Sequence, residues 1–176
     1  MIKSPTVIAM LMLAMGGIAS AATVRAALTT ATLEGTGGPV GTVAMKDSPR
    51  GAIVIVNLHG LTPGAHGFHV HDKGSCAAGP DKNGKVIPAG AAGGHYDPAV
   101  TGKHAGPDGM GHLGDLPLVT ADASGAVKAR LIAPHIRSVQ ALAGHALMLH
   151  AGGDNYSDDP APLGGGGARF ACGVIS

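Results

Sequence analysis

The segment from Asp72 to Gly114 most constrains the fold of this chain, because it is long and shows neither helical nor strand periodicity. It is rich in glycine, proline, alanine, histidine and aspartate, which favour turns and loops. Loops of this length inside a compact domain are uncommon and usually functional. The segment is therefore either disordered or ordered by bonds other than its own packing, which it can form through Cys76, His95, His104 and His112.

Short apolar runs lie on both sides of that segment and predict a domain built from β-strands. Glycine contributes 30 residues and proline 12, whereas the chain has two tyrosines, two phenylalanines and no tryptophan. This composition favours many turns and a core of small aliphatic side chains. Ala52–Leu58 is the clearest buried-strand run, and the Ala-Asp-Ala-Ser-Gly sequence at 121–125 is typical of a hairpin turn.

We predict an all-β fold, an eight-stranded Greek-key barrel or sandwich with two long functional loops at 72–114 and 151–167. Residues 22–176 form a single domain in this prediction, with no linker and no internal repeat. The strands are predicted at Thr23–Leu33, Val40–Lys46, Ala52–Leu58, Gly67–His71, Leu116–Thr120, Ala126–Ile132, His145–His150 and Ala168–Ile175.

Residues 1–21 have the pattern of a cleavable signal peptide. Lys3 is followed by an apolar run at 7–18 and then by Ala19-Ser20-Ala21, which matches a small-residue cleavage site. The run is too short to span a bilayer comfortably, and a retained anchor is the alternative interpretation. We therefore expect an exported protein that is soluble after cleavage.

Export places the two cysteines, Cys76 and Cys172, in an oxidising compartment, where an even pair favours a disulfide bond. We predict that they are bonded. Closing so long a loop would stabilise the fold by ~3–5 kcal/mol on the chain-entropy model. Two free thiols that bind a metal ion are the competing interpretation.

The charge pattern gives no sign of a macromolecular partner. The formal net charge is +1, with 12 basic and 11 acidic residues interspersed along the chain. Nucleic-acid binding needs a face of one sign, so we expect no nucleic-acid partner. We also expect no membrane association after the signal peptide is removed.

Histidine is unusually dense, since seven of the ten histidines lie between positions 59 and 112. His69 and His71 are two residues apart on a predicted strand, so both rings point to the same side and can bind one ion. The long loop adds a closed set of donors that suits a structural zinc ion. This set is His95, His104, His112 and Asp115. A polar surface loop whose histidines bind nothing is the alternative.

Several motifs together resemble those of copper,zinc superoxide dismutases, over nearly the whole mature chain. They are GFHVH at 67–71, GGH at 93–95, HLGD at 112–115 and RFACGVI at 169–175. Two further segments resemble the second loop of the bacterial periplasmic branch of that family. These are AGGDNYSD at 151–158 and PLGGGG at 162–167.

The resemblance implies a copper ion and a zinc ion as cofactors. The implied copper ligands are His69, His71, His95 and His150. The implied zinc ligands are His95, His104, His112 and Asp115. His95 would then bridge the two metals as an imidazolate, which two adjacent cations favour by lowering its pKa.

The resemblance also assigns roles around the metals. Asp154 matches a carboxylate that would link the copper-ligand ring of His71 to the zinc-ligand ring of His104. Arg169 is the residue expected to attract and position superoxide, and an arginine that only braces the loop is the alternative. Cys76 and Cys172 match the intrasubunit disulfide of the family. His66 matches a position that supports the copper region through hydrogen bonds.

The implied activity is that of an oxidoreductase, superoxide dismutase, which disproportionates superoxide to oxygen and hydrogen peroxide. Copper would cycle between Cu(II) and Cu(I), and His95 would take up a proton when copper is reduced. The implied place is the periplasm, where the enzyme protects the cell envelope. A homodimer stays open, because the segment at 77–92 is enlarged relative to animal members. The rival functions are a copper or zinc storage or delivery protein and, less well supported, a zinc hydrolase.

Overall fold

In the computed structural model, residues 22–176 are described, and the predicted signal peptide at 1–21 lies outside the described residues. The described part contains strands and three short 3₁₀ turns, at Gly90–Ala92, Val139–Leu142 and Pro162–Gly165, but no α-helix. None of the helical turns in this part has the length or the apolar run needed to cross a membrane. The strands are β1 (Thr23–Thr32), β2 (Gly35–Lys46), β3 (Ala52–Leu58), β4 (Gly64–His66), β5 (Phe68–His71), β6 (Gly79–Pro80), β7 (Val86–Ile87), β8 (Val119–Ala121), β9 (Val127–Ala133), β10 (Ala146–His150) and β11 (Arg169–Val174).

Seven antiparallel strands form one sheet in the order β5-β10-β11-β1-β2-β3-β9. A separate antiparallel pair, β4 with β8, connects the two ends of this sheet. Only Gly67 separates β4 from β5, and a tight turn at 122–126 joins β8 to β9, so the sheet curls into a barrel. With β4 and β5 counted as one strand interrupted at Gly67, the predicted eight-stranded barrel is confirmed.

The barrel closes because apolar side chains alternate along its strands. In β1 the side chains of Val24, Ala26 and Leu28 are buried, whereas the residues between them are exposed. Burying each large apolar side chain stabilises the fold by roughly 1.5–3 kcal/mol. Phe68 and Leu147 are fully buried and bring β5 and β10 into the same core.

The strands β5 and β10 are buried on both faces, unlike β1. Phe68 and Val70 of β5 belong to the barrel core, so by strand alternation His69 and His71 face away from it. Met148 of β10 packs in a separate small cluster with Ala89, Ala92 and Cys172 from outside the barrel wall. The outer face of these two strands is therefore covered by the long loops.

The long segment after β5 is ordered, which resolves the alternative left open by its sequence. A two-residue ribbon, β6 paired with β7, and the turn at Gly90–Ala92 give it local structure. The predicted disulfide between Cys76 and Cys172 is present, with the two Cα atoms 5.7 Å apart, and attaches the segment to β11. Covalent attachment and buried alanines thus supply the order that hydrophobic periodicity does not.

The start of β2 differs from the prediction. The predicted strand begins at Val40, but the Gly-Thr-Gly-Gly-Pro sequence at 35–39 forms the first part of β2 and pairs irregularly with β1. The strand β3 pairs with β2 only from Gly41 onward, so Pro39 does not have to donate a hydrogen bond to a third strand. A proline and three glycines are tolerated for that reason.

Candidate metal centre

The outer face of β5 and the end of β10 place three histidines next to one another. His69 pairs in register with Met148, and the backbone N–H of His150 donates to the carbonyl of Gly67 at 2.8 Å. The ring centroids of His69 and His150 are consequently 5.0 Å apart, and those of His71 and His150 are 5.7 Å apart. His95 reaches the same place from the long loop and stacks on His69 with centroids 3.9 Å apart.

These four histidines, which we call the open cluster, can each direct one ring nitrogen at a common ion. The four nitrogens lie within 4.8 Å of one another, and the four residues are buried. Among the described residues, nothing forms a hydrogen bond with Nδ1 of His69 or with Nε2 of His71, His95 or His150. Buried polar atoms rarely stay without partners, and four converging imidazole lone pairs fit a copper ion.

The other ring nitrogen of three of these histidines is held by a neighbouring acceptor. Nδ1 of His71 lies 2.9 Å from the carbonyl oxygen of Gly93, and Nδ1 of His150 lies 3.2 Å from that of Gly167. Nε2 of His69 lies 2.8 Å from a carboxylate oxygen of Asp154. Such outer contacts fix the tautomer and turn the free nitrogen toward the ion, as is usual for histidines that bind metal.

A second group, which we call the closed cluster, consists of His95, His104, His112 and Asp115. The Nδ1 atoms of His95 and His104 lie 2.9 Å and 3.0 Å from the Asp115 carboxylate, and that of His112 lies 3.3 Å away. Nδ1 of His104 is fully buried and faces only the Asp115 carboxylate, without the alignment of a regular hydrogen bond. Three imidazoles around one carboxylate fit a tetrahedral zinc ion.

His112 is the outermost member of the closed cluster. The group of donor atoms on this side that all lie within 4.8 Å of one another contains His69, His95, His104 and Asp115, and does not include His112. His69 and His95 belong to both groups by this distance. The structure therefore brings all seven predicted ligand residues together, with His112 at the edge.

Burial keeps the rings of the open cluster neutral. It lowers the pKa of His69 to about 3 and that of His150 to about 4, because an imidazolium would lose its hydration and meet neighbouring imidazoles. The same causes, with the positive charge of Arg169, hold the pKa of His71 well below its usual value. Neutral rings have the free lone pair that a metal ion requires.

The closed cluster has the opposite protonation behaviour. Burial opposes a charge on His104, but hydrogen bonds and charge from Asp115 and Asp154 outweigh it and raise the pKa of His104 to about 9. Burial also opposes ionisation of these two carboxylates, yet their contacts with His104 hold the pKa of each well below its usual range. Without a metal cation, this pocket holds a proton on His104.

Asp154 connects the two clusters, but through a different ring from the one predicted. Its two oxygens lie 2.8 Å from Nε2 of His69 and 2.8 Å from Nε2 of His104. The prediction that it contacts His71 is wrong. The backbone bonds between Gly67 and Gly152 attach the second loop beside the beginning of β5, next to His69. The outer nitrogen of His71 is already bound to Gly93.

Arg169 lies at the mouth of the open cluster. A cavity of about 750 Å³, which we call the large cavity, is lined by His71, His95, His150, Arg169, Asp81 and Lys82, among others. The guanidinium donates to the carbonyl oxygens of Ala89 at 2.6 Å and Gly93 at 2.5 Å. Arg169 thus braces the long loop and also faces the cavity. Burial lowers its pKa from the usual value, and Asp81 opposes that shift.

The sequence did not indicate the groups that contact the second ring nitrogen of each ligand histidine, the one that points away from the ion. The carbonyl of Gly93 accepts hydrogen bonds from both His71 and Arg169, and backbone carbonyls leave no side-chain signal in a sequence. Lys82, in the enlarged segment at 77–92, also lines the large cavity, and its spacing in the sequence does not indicate that position. His66 is buried as its predicted supporting role requires, with Nδ1 2.8 Å from the carbonyl oxygen of His150.

Known proteins that are similar to this chain have names that include both copper and zinc, as the two donor clusters suggest. A family model described as copper/zinc superoxide dismutase (SODC) matches residues 39–175. A superoxide dismutase [Cu-Zn] of Brucella abortus is 57% identical over 141 residues, which cover 80% of this chain and 81% of that protein. The corresponding Escherichia coli K12 protein is 46% identical over 168 residues, 96% of each chain.

Solved structures of two relatives share the fold. The Cu/Zn superoxide dismutase from Brucella abortus has a TM-score of 0.85 at 52% identity, covering 88% of this chain and 100% of that one. The monomeric copper, zinc superoxide dismutase from Salmonella enterica has a TM-score of 0.76 at 46% identity, with the same coverage. The resemblance drawn from the motifs is confirmed.

Proposed function

The chain belongs to the copper/zinc superoxide dismutase family, and from that premise we propose that its two donor clusters divide the work of superoxide disproportionation. The observation that carries this proposal is the set of buried ring nitrogens that converge without partners, on His69, His71, His95, His104 and His150. These nitrogens need cations, and the two sides differ in charge and access.

The copper ligands we propose are the four histidines of the open cluster. Each has one free nitrogen, and the other nitrogen of His69, His71 and His150 is held by a fixed acceptor. A copper ion held there would supply the one-electron redox chemistry by which one superoxide is oxidised to oxygen and a second, with two protons, is reduced to hydrogen peroxide.

The zinc ligands we propose are the four members of the closed cluster, with His112 rather than His69 as the third imidazole. Nε2 of His69 is bound to Asp154, so Nδ1 is its one free donor, and the open cluster requires that atom. Nδ1 of His112 faces Asp115, as do those of His95 and His104. Zinc has no redox chemistry and would order the loop.

His95 is the residue proposed to serve both metals. Its Nε2 lies in the open cluster without a hydrogen-bond partner, and its Nδ1 lies 2.9 Å from Asp115 in the closed cluster. Nε2 of His95 is the atom that we propose takes up a proton in the reduced half of the cycle and gives it to the departing product.

Arg169 is the residue proposed to guide superoxide to the open cluster. Its guanidinium is fixed by two carbonyl oxygens and lines the large cavity beside three histidines of that cluster. A permanent positive charge held in that place attracts a small anion and orients it. The same two hydrogen bonds keep the wall of the cavity in place.

We propose that residues 1–21 are removed on export and that residues 22–176 act as a single domain in the periplasm, where they protect the cell envelope. The signal pattern and the disulfide support this, because disulfides persist in oxidising compartments. Mass spectrometry of the periplasmic protein should find a chain that begins after Ala21 or Ala22. A chain that keeps residues 1–21 in the membrane fraction would contradict this part.

The partner we propose is superoxide, with no nucleic acid and no membrane. The relative from Salmonella enterica is described as monomeric. Sedimentation velocity of the mature chain decides between a monomer and the homodimer that the sequence left open.

The test of the function combines metal analysis with turnover. Purified protein reconstituted with both metals should bind one copper and one zinc per chain and remove superoxide catalytically. Stoichiometric binding of both metals without turnover would show a storage or delivery protein instead.

A further inference from the structure

The two clusters reach the surface through different cavities. The open cluster faces the large cavity, whose walls carry Arg169 and Lys82. A second cavity of about 280 Å³, which we call the small cavity, is lined by Pro98, Thr101, Met110, His112, Leu113 and His135, among others. Among the described residues, His112 is the one member of either cluster in its lining, and no lysine, arginine, aspartate or glutamate lines it.

His112 is also the least buried member of the closed cluster. Its side chain is 9% exposed, compared with 1% for His95 and 0% for His104 and Asp115. Its Nδ1 is the farthest of the three from the Asp115 carboxylate, at 3.3 Å. The closed cluster can therefore open at His112 with the least movement of buried atoms.

The outer nitrogen of His112 is not anchored as those of its neighbours are. Nε2 of His104 is held by Asp154, and His95 is enclosed between the two clusters. Among residues 22–176, no hydrogen-bond acceptor is found for Nε2 of His112. Outer contacts of this kind typically contribute roughly 10–100-fold to metal affinity, so the ring of His112 is the one freest to turn away.

We propose that the small cavity is the route by which zinc enters and leaves the closed cluster, with His112 the ligand that is released first. This inference rests on the zinc ligand set proposed above. A zinc ion that moves through the small cavity does not pass the charged side chains of the large cavity, which are Arg169, Lys82 and Asp81. The two metals are thereby exchanged independently.

Two residues of the small cavity have distinct parts in this route. Met110 lines the cavity and is 85% exposed, so its side chain stands on the solvent side of the route, and a thioether is a poor ligand for zinc. His135 is exposed in the same lining and offers a second imidazole to an ion that has left His112 or has not yet reached it. Thr101 of the same lining is held by Asp97, which accepts hydrogen bonds from the Thr101 hydroxyl and from the backbone N–H of Gly102.

Metal release from the holoenzyme tests the route. Zinc release is followed with excess pyridylazoresorcinol, and copper release with bathocuproine disulfonate and ascorbate. Met110→Trp, which adds bulk to the lining of the small cavity, should slow zinc release several-fold and leave copper release at the wild-type rate. His135→Gln should slow zinc uptake by the zinc-free protein without changing the final zinc content.

The matched control is a tryptophan substitution in the lining of the large cavity. Ile87 lines the large cavity on a short strand, where an aromatic side chain is acceptable, so Ile87→Trp should slow copper release and leave zinc release unchanged. If either tryptophan slowed both metals equally, both would leave through a common opening and the inference would be overturned.

Zinc content, measured before release, separates this inference from the proposed function. Met110→Trp protein that binds one zinc and releases it at the wild-type rate overturns the route but leaves the ligand set intact. Wild-type protein that binds no zinc overturns the ligand set itself. If Met110→Trp does not fold, Met110→Phe gives the same comparison with a smaller ring.

Discussion

The open and closed clusters lie side by side, share His95 and are both contacted by Asp154, yet they hold protons in opposite ways. Burial among other imidazoles lowers the pKa of His69 to about 3, whereas two carboxylates raise the pKa of His104 to about 9. The residue type is the same and the distance between the rings is 5.4 Å. The charge of the surrounding groups, rather than the residue type, therefore sets the protonation state of each histidine. Neutral rings in the open cluster suit a redox metal, and the protonated ring in the closed cluster occupies the place of a structural cation.

The largest expected effect comes from removing one ligand from each cluster. His150→Ala should keep zinc but lose copper and with it essentially all activity, because His150 belongs only to the open cluster. The loss should exceed the ~10–100-fold typical of an outer contact. Metal analysis and a superoxide assay on the same sample measure both effects.

The corresponding variant in the closed cluster is His104→Ala. It should lose more zinc than copper and keep part of its copper. His59→Ala is the control, since His59 is exposed and outside both clusters. If His150→Ala and His104→Ala lost the same metal, the two clusters would not be separate sites.

The disulfide should matter more to the open cluster than to the closed one. It lies beside Met148 and Ala89, and the carbonyl of Ala89 holds Arg169. Cys76→Ser should lower the free energy of unfolding by ~3–5 kcal/mol and reduce copper retention more than zinc retention. Urea unfolding and metal analysis measure these changes, and an equal loss of both metals would argue against a local effect.

Outside the ligands themselves, Asp154 is a side chain whose change should weaken both clusters together. Asp154→Asn keeps the shape but cannot accept from both His69 and His104, so affinity for each metal should fall by roughly 10–100-fold. Competition with chelators of known affinity measures the two losses. A loss confined to zinc would mean that the contact with His69 is dispensable.

Arg169 should affect rate without affecting metal content. Arg169→Ala should bind both metals and lose activity on the order of tenfold, with the deficit shrinking at high salt. Arg169→Lys keeps the positive charge but loses the planar guanidinium that donates to the carbonyls of Ala89 and Gly93. Its activity should lie between that of the wild type and that of Arg169→Ala. Unchanged rates in Arg169→Ala would leave only the bracing role.

The smallest effect is the difference in pH dependence of metal binding. At neutral pH His104 of the metal-free protein carries a proton, which zinc must displace, so zinc affinity should rise by up to about tenfold per pH unit until pH approaches about 9. His69 and His150 are already neutral, so copper affinity for zinc-free protein should change little above about pH 5. Metal titrations across pH measure both slopes, and equal slopes would contradict the comparison.

Much of this arrangement was predictable from the sequence, because alternation on β5 places His69 and His71 on one side whatever the rest of the fold. The barrel followed from apolar runs and turns. The partner of Asp154 was not predictable, since it depends on how the second loop docks beside Gly67. Nor was the strand at 35–39, where glycine and proline are acceptable because β3 pairs with β2 only from Gly41 onward.

The carbonyl groups that contact the nitrogens facing away from the metal site could not be predicted from the sequence either. The carbonyls of Gly93 and Gly167 belong to residues that have no side chain, and only the folded loops bring them to His71 and His150. The outlying position of His112 likewise depends on tertiary packing, because its motif at 112–115 looks no different from a fully buried ligand motif.

Stepwise addition of copper to zinc-loaded protein tests the division between the clusters most directly. Zinc-loaded protein should be inactive, and superoxide removal should rise in proportion to copper until one equivalent per chain is bound, with zinc retained throughout. Activity before copper is added, or copper uptake that expels zinc in equal amount, would contradict it.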